Sequence, residues 1–165
     1  MCLLYQQMLP CVIRWYADAS FAVHPDMRSH TGIAMTMGGG AIIASSRKQK
    51  MNTRSSTEAE LVAADDALSS VMWTKLFLEA QSYPVKKTVF YQDNKSTMLL
   101  QKNGRESTTR RTRHINIRLF YFKDHLDRQE FELEYCPTDL MLADYMTKPL
   151  QGEKFKQFRK LLMNL

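Results

Sequence analysis

Cysteine is scarce in this chain, and the little there is does not pair. Cys2, Cys11 and Cys136 are the three among 165 residues, and none stand in C-x-x-C spacing. An odd count argues against a closed disulfide framework, so the thiols read as free, buried and kept in a reducing compartment. Long apolar runs are missing too. Nothing approaches the roughly 20 residues that cross a bilayer, and no membrane partner is expected. Met1–Ile13 is partly apolar, but it has no basic start and is broken by Gln6, Gln7 and Pro10, unlike a signal peptide. There is no internal repeat and no low-complexity tract. Pro84 and Gly38–Gly40 punctuate the chain without dividing it, so one domain with a sizeable core is expected.

Acidic residues are outnumbered. Lys and Arg total 23 against 17 Asp and Glu, giving +6 and a pI near 9.3. That balance permits a polyanionic partner without naming one. Its placement says more. Between Gln101 and Lys123 stand Lys102, Arg105, Arg110, Arg111, Arg113, Arg118 and Lys123, with Glu106 the one acid. This stretch equals the whole positive excess. A smaller basic group, Arg47, Lys48, Lys50 and Arg54, precedes the first expected helix. Surface charge is ordinarily just a solvated face. Here, however, Arg110, Arg111, Arg113 and Arg118 fall on the less apolar side of one expected helix. Such a stripe suits two close phosphate backbones and a salt-dependent, sequence-independent affinity. Thr108, Thr109 and Asn116 can add neutral backbone contacts.

Hydrophobic patterning gives the elements. Val12–Ala17 is β-branched and aromatic and reads as a strand. His24–Thr31 is polar, contains Pro25 and reads as a loop. Gly32–Met37 and Ala41–Ser45 flank Gly38-Gly39-Gly40 as a hairpin, so three antiparallel strands come first. A helix starts at Ser55 or Thr57, each offering a capping box. Leu61, Ala64, Leu68, Val71, Met72 and Leu76 then recur at helical spacing until Pro84 forbids continuation. Thr88–Gln92 reads as a central strand, Lys95–Lys102 as a short helix ended by Gly104, and Arg110–Arg128 as a basic helix with Ile115, Leu119, Phe122 and Leu126 on its apolar side. Glu130–Tyr135 alternates as a strand. Leu140–Met146 and Glu153–Met163 read as two last helices. This order predicts an α/β fold with a mixed five-stranded sheet flanked by helices. The eleven methionines are expected to fill its core.

Four short strings place carboxylates where these elements begin or end: Y-A-D-A-S at 16–20, S-S-T-E-A-E-L at 55–61, Y-Q-D-N-K-S at 91–96 and L-A-D-Y-M-T-K-P at 142–149. They supply Asp18, Glu60, Asp93 and Asp144. Each has an ordinary reading alone: a turn Asp, a capping Glu, a helix-cap Asp and a solvated helical Asp. If Ser55 is the cap, Glu58 closes the box and Glu60 lies at the edge of the core stripe, where a carboxylate is costly unless paired or metal-bound. If Thr57 is the cap, Glu60 is the box residue instead. Taken together, four acids brought to one place repel each other unless a cation joins them, and hard divalent ions prefer oxygen ligands. The four together point to a two-metal phosphoryl-transfer site.

The strings Y-A-D-A-S, R-S-S-T-E-A-E at 54–60, Q-D-N at 92–94, R-T-R-H-I-N-I-R at 111–118 and L-A-D-Y-M-T-K-P-L at 142–150, in this order, resemble the ribonuclease H domain of copia-type long-terminal-repeat retrotransposon polyproteins. The resemblance runs from about Trp15 to the C-terminus. It implies a ribonuclease H-like fold and an endonuclease that hydrolyses the RNA strand of RNA–DNA hybrids during reverse transcription. It implies two Mg²⁺ ions, with Mn²⁺ as an alternative. The family's catalytic and metal-binding carboxylates fall on Asp18, Glu60, Asp93 and Asp144, with Asp18 bridging the ions, Glu60 and Asp93 on one, and Asp144 on the other.

The same resemblance implies further contacts and partners. Ser20 and Asn94, with Arg110, Arg111, Arg113, His114 and Arg118, are expected on the nucleic acid, the basic helix carrying the DNA strand. Glu60 and the main chain at Asp18, Ala19 and Ser20 are expected to read the RNA 2′-hydroxyls. His114 is not expected to be catalytic, since an unassisted His is usually exposed or structural. Many ribonucleases H use a mobile His shortly before the last carboxylate. Here Tyr135–Met141 reads Y-C-P-T-D-L-M, with none. The domain is expected to follow a reverse transcriptase in one polyprotein, with 1–13 as the connection and 14–165 as the domain, and to work in a cytoplasmic virus-like particle. Two other readings stay open: a hybrid-binding module of a reverse transcriptase that does not cut, and another nuclease of the same scaffold. The Glu in the first helix speaks against the second.

Overall fold

A computed structural model describes residues 11–104 and 113–165. In chain order the elements are β1 (Cys11–Ser20), β2 (His30–Thr36), β3 (Ala41–Lys48), α1 (Ser56–Ala80), β4 (Val85–Gln92), α2 (Lys95–Asn103), α3 (Arg113–Asp127), β5 (Glu132–Tyr135), α4 (Asp144–Thr147) and α5 (Gly152–Met163). Among the described residues, five strands form one sheet in the order β3-β2-β1-β4-β5. The first three pair antiparallel, while β1–β4 and β4–β5 pair parallel. The mixed sheet with three antiparallel strands first, flanked by helices, is the one expected from the element order.

Period-two alternation puts a helical layer on each face of this sheet. Ile13, Trp15 and Ala17 of β1 and Ile33 and Met35 of β2 turn to one side. There they bury against Ala64, Ala67, Leu68 and Val71 of α1 and Phe122 of α3. The intervening Tyr16 and Ala34 turn to the other side, against Leu142, Phe158 and Leu162. Trp15, Phe90 and Phe131 are among the largest side chains wholly withdrawn from water. Cys136 is free and buried, as expected.

Ser55 is the N-cap of α1 and accepts the Glu58 N–H at 3.2 Å. Glu58 reaches back to the Arg54 N–H at 2.7 Å. That settles the choice between the two caps and leaves Glu60 free of a capping role. The core stripe of α1 runs as predicted through Val71 and Met72, but it continues through Thr74 and Leu78, and Leu76 lies exposed on the outward side of the helix.

Several boundaries differ from the sequence reading; β3 runs on to Lys48, β4 begins at Val85 and β5 at Glu132. β1 runs past Ala17 to Ser20, and β2 begins at His30, because Ser20 pairs with His30 and closes the ladder there. The helix expected over 140–146 is split. A single 3₁₀ turn at Thr138–Leu140 precedes buried, non-helical Met141, Leu142 and Ala143, and α4 begins at Asp144 itself. Burying that apolar trio against the sheet outweighs continuing the helix, and Asp144 thereby becomes a first-turn residue.

Candidate active site

Asp18 and Asp93 reach the same edge of the sheet by different routes. β1 and β4 are adjacent and parallel, with Tyr16 opposite Tyr91, so both chains run out on one side. Carboxyl ends of parallel strands are where open α/β sheets place their sites. Asp18, on the alternate that faces α4, is 2% exposed. Asp93 follows the last residue of β4 and is half-buried. Its Oδ2 accepts the Thr138 hydroxyl at 3.1 Å. Asn94 caps α2 through the Ser96 and Thr97 N–H groups, which leaves the Asp93 carboxylate out of the cap.

Glu60 arrives from the second turn of α1 and is 6% exposed. Its Oε1 accepts the Ala19 N–H at 3.3 Å, while Oε2 is buried without a hydrogen-bond partner among the described residues. The start of α1 is fixed from below by Gln49, a fully buried side chain. Its amide donates to the Ala59 carbonyl at 2.9 Å and the Thr31 hydroxyl at 3.0 Å.

One carboxylate oxygen from each of Asp18, Glu60 and Asp93 lies within 4.8 Å of the other two. At that separation each like-charged pair costs about 3–4 kcal/mol at an effective dielectric of 20. Burial, then Asp18 and Asp93, push the Glu60 carboxyl well above its usual range. Burial and then Asp18 push Asp93 up as well, against the pull of the Thr138 hydrogen bond. An all-oxygen, largely buried, mutually repelling set with a Glu60 oxygen lacking a hydrogen-bond partner among the described residues is the donor chemistry that a hard divalent cation satisfies. The residues present therefore fit a Mg²⁺ or Mn²⁺ ion.

Asp144 stands beside this trio rather than within it. It is wholly buried, and burial raises its carboxyl to about 6 although the Lys148 hydrogen bond pulls it down. Lys148, one turn further on, places its Nζ 2.7 Å from Asp144 Oδ1 and 3.6 Å from Asp18 Oδ2. Thr147 donates its hydroxyl to Asp18 Oδ2. A fixed seat holds α4 here. Ser20 Oγ donates to the Thr147 carbonyl at 2.9 Å and Ser46 Oγ to the Met146 carbonyl at 2.7 Å. Gly32, opposite Asp18 in the ladder, lies so close that a Cβ there would fall 2.8 Å from the Ala143 carbonyl oxygen and 2.5 Å from Thr147 Cγ2.

No protein-family model matches the chain. It is 33% identical over 152 residues to the Retrovirus-related Pol polyprotein from transposon TNT 1-94 of Nicotiana tabacum, covering 92% of this chain and 11% of that one. It is 31% identical over 145 residues to the corresponding polyprotein from transposon RE1 of Arabidopsis thaliana, covering 87% and 10%. The Transposon Ty1-NL2 Gag-Pol polyprotein of Saccharomyces cerevisiae is 28% identical over 141 residues, covering 85% and 8%. The chain thus spans about a tenth of the length of these relatives. Among solved structures, LC11-RNase H1 in complex with an RNA/DNA hybrid superposes with a TM-score of 0.57 at 12% identity, covering 81% of this chain and 92% of that one. The N-terminal RNase H domain of a Mycobacterium tuberculosis protein superposes with a TM-score of 0.56 at 13% identity, covering 91% and 97%. The chain has the ribonuclease H fold and is homologous to a segment of retrotransposon Pol polyproteins.

Within this ribonuclease H fold the residues expected on nucleic acid are in several situations. Ser20 spends its hydroxyl on α4, and Asn94 spends its side-chain oxygen on the cap of α2. Arg118 donates to Asp65 at 2.5 Å, with Asp66 at 3.9 Å, so α1 neutralises it. Arg110 and Arg111, and the side chains of Arg113 and His114, lie outside the described residues. Sequence reasoning missed Lys148, Thr147, Gln49 and Gly32. The first two stood inside the string that supplied Asp144, but only folding shows that they reach Asp18, 129 positions away for Thr147.

Proposed function

We propose that this domain is a ribonuclease H that hydrolyses the RNA strand of RNA–DNA hybrids during reverse transcription of a copia-type retrotransposon. One observation carries the reading: carboxylates from β1, α1 and the end of β4, the first two buried and the third half-buried, converge within 4.8 Å in a ribonuclease H fold. Homology to Pol polyproteins and the hybrid-bound structural neighbour support the substrate class. The partners are the hybrid and the reverse transcriptase domain of the same polyprotein, and the setting is a cytoplasmic virus-like particle.

Asp18, Glu60 and Asp93 would hold one divalent cation, and Asp144, beside them, would help to hold a second. When bound, such cations make a nucleophile of water near neutral pH and stabilise the leaving 3′-oxygen. The chain's own groups aim the carboxylates. The Ala19 N–H fixes Glu60, Thr138 fixes Asp93, Thr147 fixes Asp18, and Lys148 holds Asp144. The basic stretch ahead of and into α3, with Arg110, Arg111, Arg113 and His114, carries the DNA strand through its phosphates. Ser20 and Asn94, at the rim of the site, meet the RNA strand with their remaining polar groups.

Incubation of the domain with labelled hybrid, duplex RNA and duplex DNA, in Mg²⁺, Mn²⁺ or chelator, tests this. Cleavage confined to the RNA of the hybrid, dependent on the cation and lowered about a thousandfold or more by Asp18→Asn, is expected. Hybrid binding without cleavage in either metal would instead make the domain a non-cutting module.

A further inference from the structure

Lys148 sits where a second cation belongs. Its Nζ lies 2.7 Å from Asp144 Oδ1 and 3.6 Å from Asp18 Oδ2, between the two carboxylates assigned above to the second ion. The side chain is half-buried, whereas Asp18 and Asp144 are almost wholly so. Its charge also draws down the carboxyls of Glu60 and Asp93. Asp144 Oδ2 meets a second ammonium, Lys154 Nζ, at 3.9 Å, and makes no hydrogen bond among the described residues. Among the described residues, no other ammonium or guanidinium pairs with the oxygens of the Asp18, Glu60 and Asp93 trio. Two positive centres cannot share one pair of carboxylate oxygens without strong repulsion.

We infer that Lys148 is a resident counter-cation which the second divalent ion must displace, so that the two ion positions load unequally. The ion at the trio enters first and tightly. The ion at Asp144 enters only as the Lys148 ammonium swings out, which its four-carbon stem and half-exposed position allow. Lys148 is thus a positioning residue: it holds Asp144 aimed at Asp18 until an ion replaces it, and it keeps the second affinity low. This inference rests on the divalent-ion reading of the site proposed above.

Titration of the 165-residue chain with Mn²⁺, followed by calorimetry, and thermal melts in chelator and in saturating Mn²⁺ test it together. Wild type is expected to bind two ions, the second much more weakly. Lys148→Gln is expected to tighten the second step by about tenfold or more, a floor set by removing one ammonium a few ångströms away. Lys148→Arg, which keeps the charge, is expected to stay near wild type. In chelator Lys148→Gln is expected to melt below wild type, since Asp144 and Asp18 lose their counterion. In saturating Mn²⁺ it is expected to melt at or above it. A lysine that merely supported the fold would lower both melts. An unchanged second step in Lys148→Gln, with two ions still bound, overturns the inference alone. Wild type binding no ion overturns it together with the divalent-ion reading.

Discussion

At the scale of single residues, two glutamates two positions apart do opposite things. Glu58 closes the start of α1 on the Arg54 N–H and supports folding. Glu60 is buried among like charges and opposes folding until a cation arrives. Glu60→Gln is therefore expected to raise the melting temperature in chelator by a few degrees while lowering hybrid cleavage at least about a thousandfold. Glu58→Ala is expected to cost about 0.5–1 kcal/mol and leave cleavage intact. Melts and initial rates on both variants separate the roles. The acid cluster also sets a pH dependence. Unfolded, Asp144 loses its proton near 3.8; folded, it keeps it until about 6. Between those values the folded chain binds more protons, so stability falls as pH rises through the window. The raised carboxyls of Glu60 and Asp93 add the same sign. In chelator the domain should melt higher at pH 5 than at pH 7.5, and millimolar Mg²⁺ should remove most of the difference. A melt that rises with pH in chelator would contradict this.

At the scale of elements, the decisive piece is the smallest one. α4 is a single turn, too short to be stable by itself, and it carries Asp144. Its place is set by β2 and β3 rather than by its own propensity. Ser46 holds the Met146 carbonyl, and His30 in turn holds Ser46 at 2.8 Å. Gly32 leaves room for the turn to lie against the sheet. Gly32→Ala would drive a methyl into a backbone carbonyl, so α4 must shift. The expected result is a loss of about 1–3 kcal/mol and a cleavage rate down by tenfold or more, with hybrid binding largely kept. Urea unfolding beside single-turnover rates checks it. Full activity in that variant would show that α4 has freedom the packing denies.

At the scale of the whole molecule, the positive excess is not all available to a polyanion. Arg118 is tied to Asp65 and Asp66 across the α1–α3 interface. Arg118→Ala is expected to lower the melting temperature yet leave the salt dependence of hybrid binding unchanged, whereas losing a true phosphate contact flattens that slope by nearly one unit. Much of this molecule is legible along the chain. The period-two runs, the triple glycine and the helical stripe of α1 give the three antiparallel strands and the mixed, helix-flanked sheet, because burial is patterned locally. Asp18, Glu60 and Asp93 are legible because each lies in a short string near the end of a strand or the start of a helix. Lys148 and Gly32 are not, since the reach of Lys148 to Asp18 and the fit of Gly32 against Ala143 and Thr147 both span more than a hundred positions. The pairing of Arg118 with Asp65 fails to show for the same reason: a stripe of arginines on one helix says nothing of the acids on the next.

The most direct test of the convergent acid site is anomalous diffraction from crystals of the domain grown with Mn²⁺. An anomalous peak is expected about 2.0–2.3 Å from carboxylate oxygens of Asp18, Glu60 and Asp93 together. No peak there, or a peak held by surface carboxylates while these three turn apart, would contradict the nuclease reading.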